Sequence, residues 1–203
     1  MVYSDDSKTV AVVEALISRR MEVNLMRPFI TPNKTSAGKT LFPYQLEGLA
    51  LTDLEMLCQR RLLAYELAGE QNFQQSWEFR LHFDGNISLE FSSACTEFQG
   101  WHEIGSLNIL LWTRGNDTID QSKWSCLEKA LVVARIDKLV FEDDEVISEC
   151  GISIFFGHRA SIVIAAGNSP GSVSVKSDFS DQPFEPQFPV ANCVAVPLTW
   201  CAH

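Results

Sequence analysis

Cys150 to Val175 reads CGISIFFGHRASIVIAAGNSPGSVSV, and its patterning decides the fold class. Ile152, Ile154 and Phe156 alternate with Ser153 and Phe155 until Gly157-His158 interrupts them. Ala160, Ile162 and Ile164 alternate again until Gly167-Asn168-Ser169-Pro170-Gly171 makes a second break. Apolar residues at period two, split by turn formers, spell a β-hairpin followed by a third strand near Ser172–Val175.

An earlier stretch repeats this pattern. With the sequence slid by 73 residues, Phe79, Leu81 and Phe83 fall on Ile152, Ile154 and Phe156. Leu89 and Phe91 fall on Ile162 and Ile164, and the turns at Asp84-Gly85-Asn86 and Gly157-His158-Arg159 coincide. Upstream, Leu54-Glu55 falls on Leu127-Glu128, Leu63 on Ile136 and Leu67 on Val140. Thr52 with Glu55 has the spacing of a capping box, so a short helix is expected there. Intrinsic propensity favours one helix running on to Gly69. The comparison with Ala134–Phe141, a poor helix and a fair strand, favours a short helix followed by a strand near Leu62–Leu67.

The expected fold is therefore a single α+β domain over residues 1–203, mainly an antiparallel sheet. It has two pseudo-repeated helix–strand–hairpin halves (52–91 and 125–164) and a Pro-rich C-terminal arm. The alternative is two small subdomains joined near residues 113–123. Leu107–Trp112 reads as a buried strand between the halves, and Arg114-Gly115-Asn116-Asp117 as a turn. Val10–Ile17 is apolar, and eight residues do not distinguish helix from strand. Arg27–Pro43 holds three prolines and reads as a long loop. Four prolines after Val175 exclude a central strand, so the tail is expected to wrap the sheet. Phe179, Phe184, Phe188 and Trp200 are its anchors.

Three segments carry a resemblance. They are Glu149-Cys150-Gly151-Ile152-Ser153-Ile154 with Phe156, Ile162–Gly167 with Pro170-Gly171-Ser172-Val173, and Phe184-Glu185-Pro186. Together they resemble the C-terminal half of small bacterial proteins, uncharacterised or of the immunity type encoded beside polymorphic toxins. The resemblance covers about a quarter of the chain and brings no catalytic motif. It implies an α+β protein that works by binding.

Charge separates the chain into unequal parts. Residues 1–61 carry eight Lys/Arg and seven Asp/Glu, while the remainder carries eight and nineteen. Phosphate contacts need the opposite sign, so nucleic acid is not an expected partner. No apolar run approaches the roughly 18–20 residues of a membrane helix, so no membrane partner is expected. Acidic residues stand near the start where a secretory signal carries positive charge. The six cysteines lack any CxxC pair. Reduced thiols and a cytoplasmic location are the expectation.

No catalytic residue, cofactor or metal is assigned, and GxSxG and HExxH are absent. Ala37-Gly38-Lys39-Thr40 ends like a phosphate loop, but Asn33 stands where that motif needs glycine. His82 and His158 are expected to be exposed structural histidines. Glu142-Asp143-Asp144-Glu145 either presents carboxylates to a cationic partner or, with Glu149, to a divalent cation, or is a solvated turn. Phe98, Trp101, His102 and Glu103 flank a loop that either lines a pocket or interface, or caps the sheet end. These eight residues, Glu142–Glu145 with the aromatic-loop four, are the candidate partner-binding set. The functional expectation is a cytosolic binding protein, an immunity-type inhibitor engaging a basic toxin domain through its acidic face. A small-ligand-binding β domain, or an enzyme of unrecognised type using Trp101, His102 and Glu103, is the alternative. A subunit that only homo-oligomerises is a third; the oligomeric state is not legible.

Overall fold

The computed structural model describes residues 29–48, 50–100, 102–113, 124–157 and 160–200. Val10–Ile17, the Arg114–Asp117 turn, Trp101 and His158 lie outside the described residues. The α+β expectation is overturned: the described residues are mostly β, 59% strand and 6% helical, curled as a mixed-sheet half-barrel.

Among the described residues twelve strands run in chain order. They are β1 (Asn33–Lys34), β2 (Thr40–Phe42), β3 (Gln45–Glu47), β4 (Arg61–Leu67), β5 (Phe79–Phe83) and β6 (Ile87–Phe98). Then come β7 (His102–Thr113), β8 (Ser125–Glu142), β9 (Val146–Phe156), β10 (Ala160–Ala166), β11 (Val173–Lys176) and β12 (Cys193–Trp200). The main path is β1-β2-β9-β8-β4-β5-β6-β7-β3, with β10 and β11 continuing from β9 and β12 added to β8. β2 on β9 and β3 on β7 are parallel pairs, and the other pairings are antiparallel. The Arg27–Pro43 stretch, expected as a loop, thus carries two short strands in its described part.

β8 is the hub. Its first half pairs with β4, its second half pairs with β12, and β9 follows its other side from Val133 to Glu142. The second helix expected near residue 125 is therefore replaced by strand. Ser125–Ala130 alone is too short to nucleate a stable helix. The edge of β4 offers backbone partners from Arg61 to Tyr65, and β-branched Val132, Val133 and Ile136 favour the extended chain. In the first half, helix is confined to a 3-10 segment, Leu51–Leu57. Its cap is Ala50 rather than Thr52: Asp53 donates its N–H to the Ala50 carbonyl (2.9 Å), and its carboxylate accepts the Ala50 N–H (2.6 Å).

The two hairpins keep the same register. Phe79 faces Phe91 and Leu81 faces Leu89 in one; Ile152 faces Ile164 and Ile154 faces Ile162 in the other. Their inner faces join in one core with Val173 and Val175, which is why both stretches alternate. The tail is no plain arm, for β12 is a strand. It lies at an edge, where Pro197 costs no ladder bond to a second neighbour, and its register shifts between Pro197 and Thr199. Phe179 stacks on Tyr65 at 4.8 Å and Phe188 on Phe141 at 4.2 Å.

Cys58 is disulfide-bonded, against the expectation of reduced thiols, while Cys95, Cys126, Cys150 and Cys193 are free. No helix among the described residues is long and apolar enough to cross a membrane.

Candidate functional site

The two candidate stretches meet at one end of the curled sheet. The β6–β7 register closes with Phe98 opposite His102, and Gln99 and Gly100 turn with φ of +53° and +79°. The β8–β9 turn brings Glu142–Glu145 alongside. Gln99 Nε2 donates to Glu145 Oε2 at 3.2 Å, and the N–H of Thr40 on β2 donates to the Glu145 carbonyl at 2.8 Å. Lys39 pairs with Glu142 at 2.8 Å.

The four acidic residues do different things. Asp143 Oδ1 accepts the N–H groups of Glu145 (2.8 Å) and Val146 (2.7 Å), so this carboxylate builds the turn. Glu142 and Glu145 each hold one polar partner and remain exposed. Asp144 is exposed and makes no hydrogen bond or ion pair among the described residues.

In the aromatic loop, Phe98 meets Phe42 edge-on, ring centroids 5.8 Å apart. It packs against a second apolar cluster of Ile30, Phe42, Ala94, Ile104 and Val146, so it caps the sheet end from inside. His102 and Glu103 are exposed. A cavity of about 490 Å³ opens beside them, lined by Glu97, Gly100, Glu103 and Gln187. Gln187 is fixed across it, accepting from Gly105 N–H and donating to the Glu103 carbonyl, each at 2.6 Å. Gly105 is required there, because a Cβ on it would lie 2.6 Å from Gln187 Oε1 and 2.8 Å from the Ala166 Cβ.

The chemistry of this end is that of carboxylates with little else. Cys95 donates to Glu103 Oε2 at 3.2 Å. Burial, then the Glu103 hydrogen bond and charge, push its thiol up to about 12, which removes it as a nucleophile. A divalent site using Glu149 is contradicted by what Glu149 does: it pairs with Lys138 and accepts the Tyr44 N–H at 2.8 Å. No group of three His, Cys, Asp or Glu among the described residues is placed to hold a metal.

A second polar cluster escaped the sequence reading. On the outer face of β5, Arg80 pairs with Glu90 (2.8 Å), Glu66 (3.3 Å) and Glu78. Burial alone would lower the guanidinium; the three carboxylates, Glu90 foremost, outweigh it and raise it. His82, expected to be exposed, is fully buried, its ring stacked on Trp124 at 4.1 Å. Its Nδ1 lies 2.8 Å from Ser88 Oγ and its Nε2 lies 3.3 Å from Glu66 Oε2. Serine, histidine and glutamate in a row are the parts of a hydrolytic triad. Here Ser88 is 3% exposed beneath that stack, so no substrate reaches it and the cluster is structural. The signal was in the alternation: Glu78, Arg80 and His82 take the positions between Phe79, Leu81 and Phe83.

Fold and site define a mostly-β protein with a carboxylate-rich end built from three turns. No protein-family model matches the sequence, no curated protein matches it, and no solved structure matches the fold.

Proposed function

We propose that the chain is a binding protein that engages a basic protein surface through this acidic end. One observation carries the reading. Exposed Glu97 and Glu103 flank the β6–β7 turn and Glu142, Asp144 and Glu145 the β8–β9 turn, which the Gln99–Glu145 bond joins, with Lys39 paired to Glu142 beside them. Such a field favours a cationic partner, speeds its encounter and rejects acidic ones. An immunity-type inhibitor of a basic toxin domain is the form of this reading that the local resemblance implies. Affinity would come from apolar groups at the rim, and the carboxylates would select the partner and its orientation.

The test is a comparative pull-down from the native host at low salt, read by mass spectrometry. Wild type and Glu142→Gln/Asp144→Asn/Glu145→Gln serve as paired baits. A basic protein retained by wild type and lost by the variant is the expected result. Identical profiles for the two baits would contradict the proposal.

A further inference from the structure

Away from the acidic end, the connection between β4 and β5 forms an open surface cavity of about 410 Å³ lined by Ala68, Gly69, Glu70, Gln71, Asn72, Gln75 and Trp77. Trp77 is 48% exposed, so about half of a well-held indole is open to solvent at this cavity. Its indole N–H donates to the Pro170 carbonyl at 3.0 Å. Its Cδ1 lies 3.5 Å from where a Cβ on Gly171 would stand. The ring is therefore held by one edge.

The rest of the connection is pinned as firmly. Ser76 and Val173 exchange backbone hydrogen bonds of 2.9 and 2.7 Å. Phe73 is buried, donates its N–H to Gln182 Oε1 (2.6 Å) and accepts from Val175 N–H (2.7 Å). Gln71 Oε1 accepts from Ser76 Oγ (2.7 Å), Trp77 N–H (2.8 Å) and Glu78 N–H (3.2 Å). Asn72 Oδ1 accepts from Gln75 N–H at 2.9 Å. With both amide oxygens committed inside the loop, the NH₂ groups of Gln71 and Asn72 are the ends left for a ligand. Glu70 and the Gln75 carboxamide add acceptors in the same cavity.

We infer that this cavity is a binding site for a neutral saccharide, with Trp77 as the platform for one sugar ring. A pyranose has an apolar C–H face to lie on an indole and a rim of hydroxyls that both donate and accept. The cavity offers that combination. An anion is disfavoured by Glu70 and by a chain charge of −10. A cation would meet the N–H donors of Gln71 and Asn72. An apolar ligand would cover the NH₂ groups of Gln71 and Asn72, the Gln75 carboxamide and the Glu70 carboxylate without offering them partners. Because the platform and its donors are fixed before binding, little ordering is required of the protein.

Isothermal titration calorimetry against cellohexaose, xylohexaose and N-acetylchitohexaose tests this, with tetramethylammonium chloride and inorganic phosphate as cation and anion probes. At least one saccharide is expected to bind saturably, with Kd below about 10 mM. Trp77→Ala should weaken it about tenfold or more. Asn72→Asp keeps the oxygen that caps Gln75 and removes both donors. It should weaken binding while leaving the melting temperature unchanged, which guards against misreading a folding defect. Trp112→Ala, an exposed tryptophan outside this cavity, should bind as wild type does. Absence of heat from all three saccharides, tetramethylammonium bound in their place, or saccharide binding indifferent to Trp77→Ala would each overturn the assignment.

Discussion

Gln99 Nε2 donates to Glu145 Oε2 at 3.2 Å, and this bond joins two turns whose residues stand 46 positions apart. Through it the β6–β7 tip and the β8–β9 turn become one surface, with Lys39 and Thr40 of the β1–β2 hairpin on the same rim. Within that surface Asp143 differs from its acidic neighbours, since it serves the turn and they face solvent.

Asp143→Ala should therefore cost about 1–2 kcal/mol of stability, because two backbone N–H groups lose their acceptor. Glu142→Gln/Asp144→Asn/Glu145→Gln should cost about 1 kcal/mol or less, since it removes one exposed ion pair with Lys39 and only the charge, not the oxygen, that accepts from Gln99. Urea denaturation separates the two. A triple variant as unstable as Asp143→Ala would mean that the outer carboxylates also hold the turn.

Phe98→Ala should cost about 2 kcal/mol through lost packing on Phe42 and its cluster. His102→Ala, at an exposed position beside it, should be near neutral. Thermal unfolding of both variants checks the contrast, and equal melting temperatures would rule out the capping role given to Phe98.

Asp137 is 3% exposed, and burial raises its carboxyl above the ordinary 3.8, with Arg135 at 3.1 Å offsetting part of the shift. A raised carboxyl contributes stability only below its unfolded value, and that contribution is lost as pH rises through the folded value. At neutral pH the buried charge is a net cost. Asp137→Asn should raise the melting temperature by about 2–4 °C at pH 7 and give no gain near pH 3. A lower melting temperature at pH 7 would show that the Arg135 pair outweighs burial. Asp84 has the opposite sign: burial would raise it, but hydrogen bonds from the Arg61 side chain and backbone hold it below its ordinary value. Its contribution is present at neutral pH and fades as pH falls through that lowered value.

The hairpins were legible because period-two alternation is written in Phe79–Phe91 and Ile152–Ile164, and burying one face enforces it. The second helix was misread because Ser125–Ala130 has no strong local preference, and its pairing to β4 is a contact some sixty residues back that no window contains. His82 was misread for a related reason. Alternation places it on the outer face, but nothing local announces that Trp124 covers it. Each stretch of the acidic end was visible separately; their meeting depends on the curl of the sheet and so was not. The saccharide cavity was missed because Trp77 counts for little until Pro170 and Gly171 fix its edge.

Reducing the Cys58 disulfide should lower stability by about 2–4 kcal/mol. Melting curves with and without a phosphine reductant measure this, with Cys58→Ser as the matched variant. A reductant effect that persists in Cys58→Ser would assign it to another cysteine.

The most direct measurement of the acidic end is the association rate of the purified partner by surface plasmon resonance, at about 20 mM and about 500 mM salt. For wild type the rate should fall steeply with salt, because steering by exposed carboxylates is screened within about 10 Å at moderate ionic strength. For Glu142→Gln/Asp144→Asn/Glu145→Gln it should be slower at low salt and nearly salt-independent, with dissociation little changed. A triple variant that associates at the wild-type rate at low salt would contradict the claim that this end selects the partner.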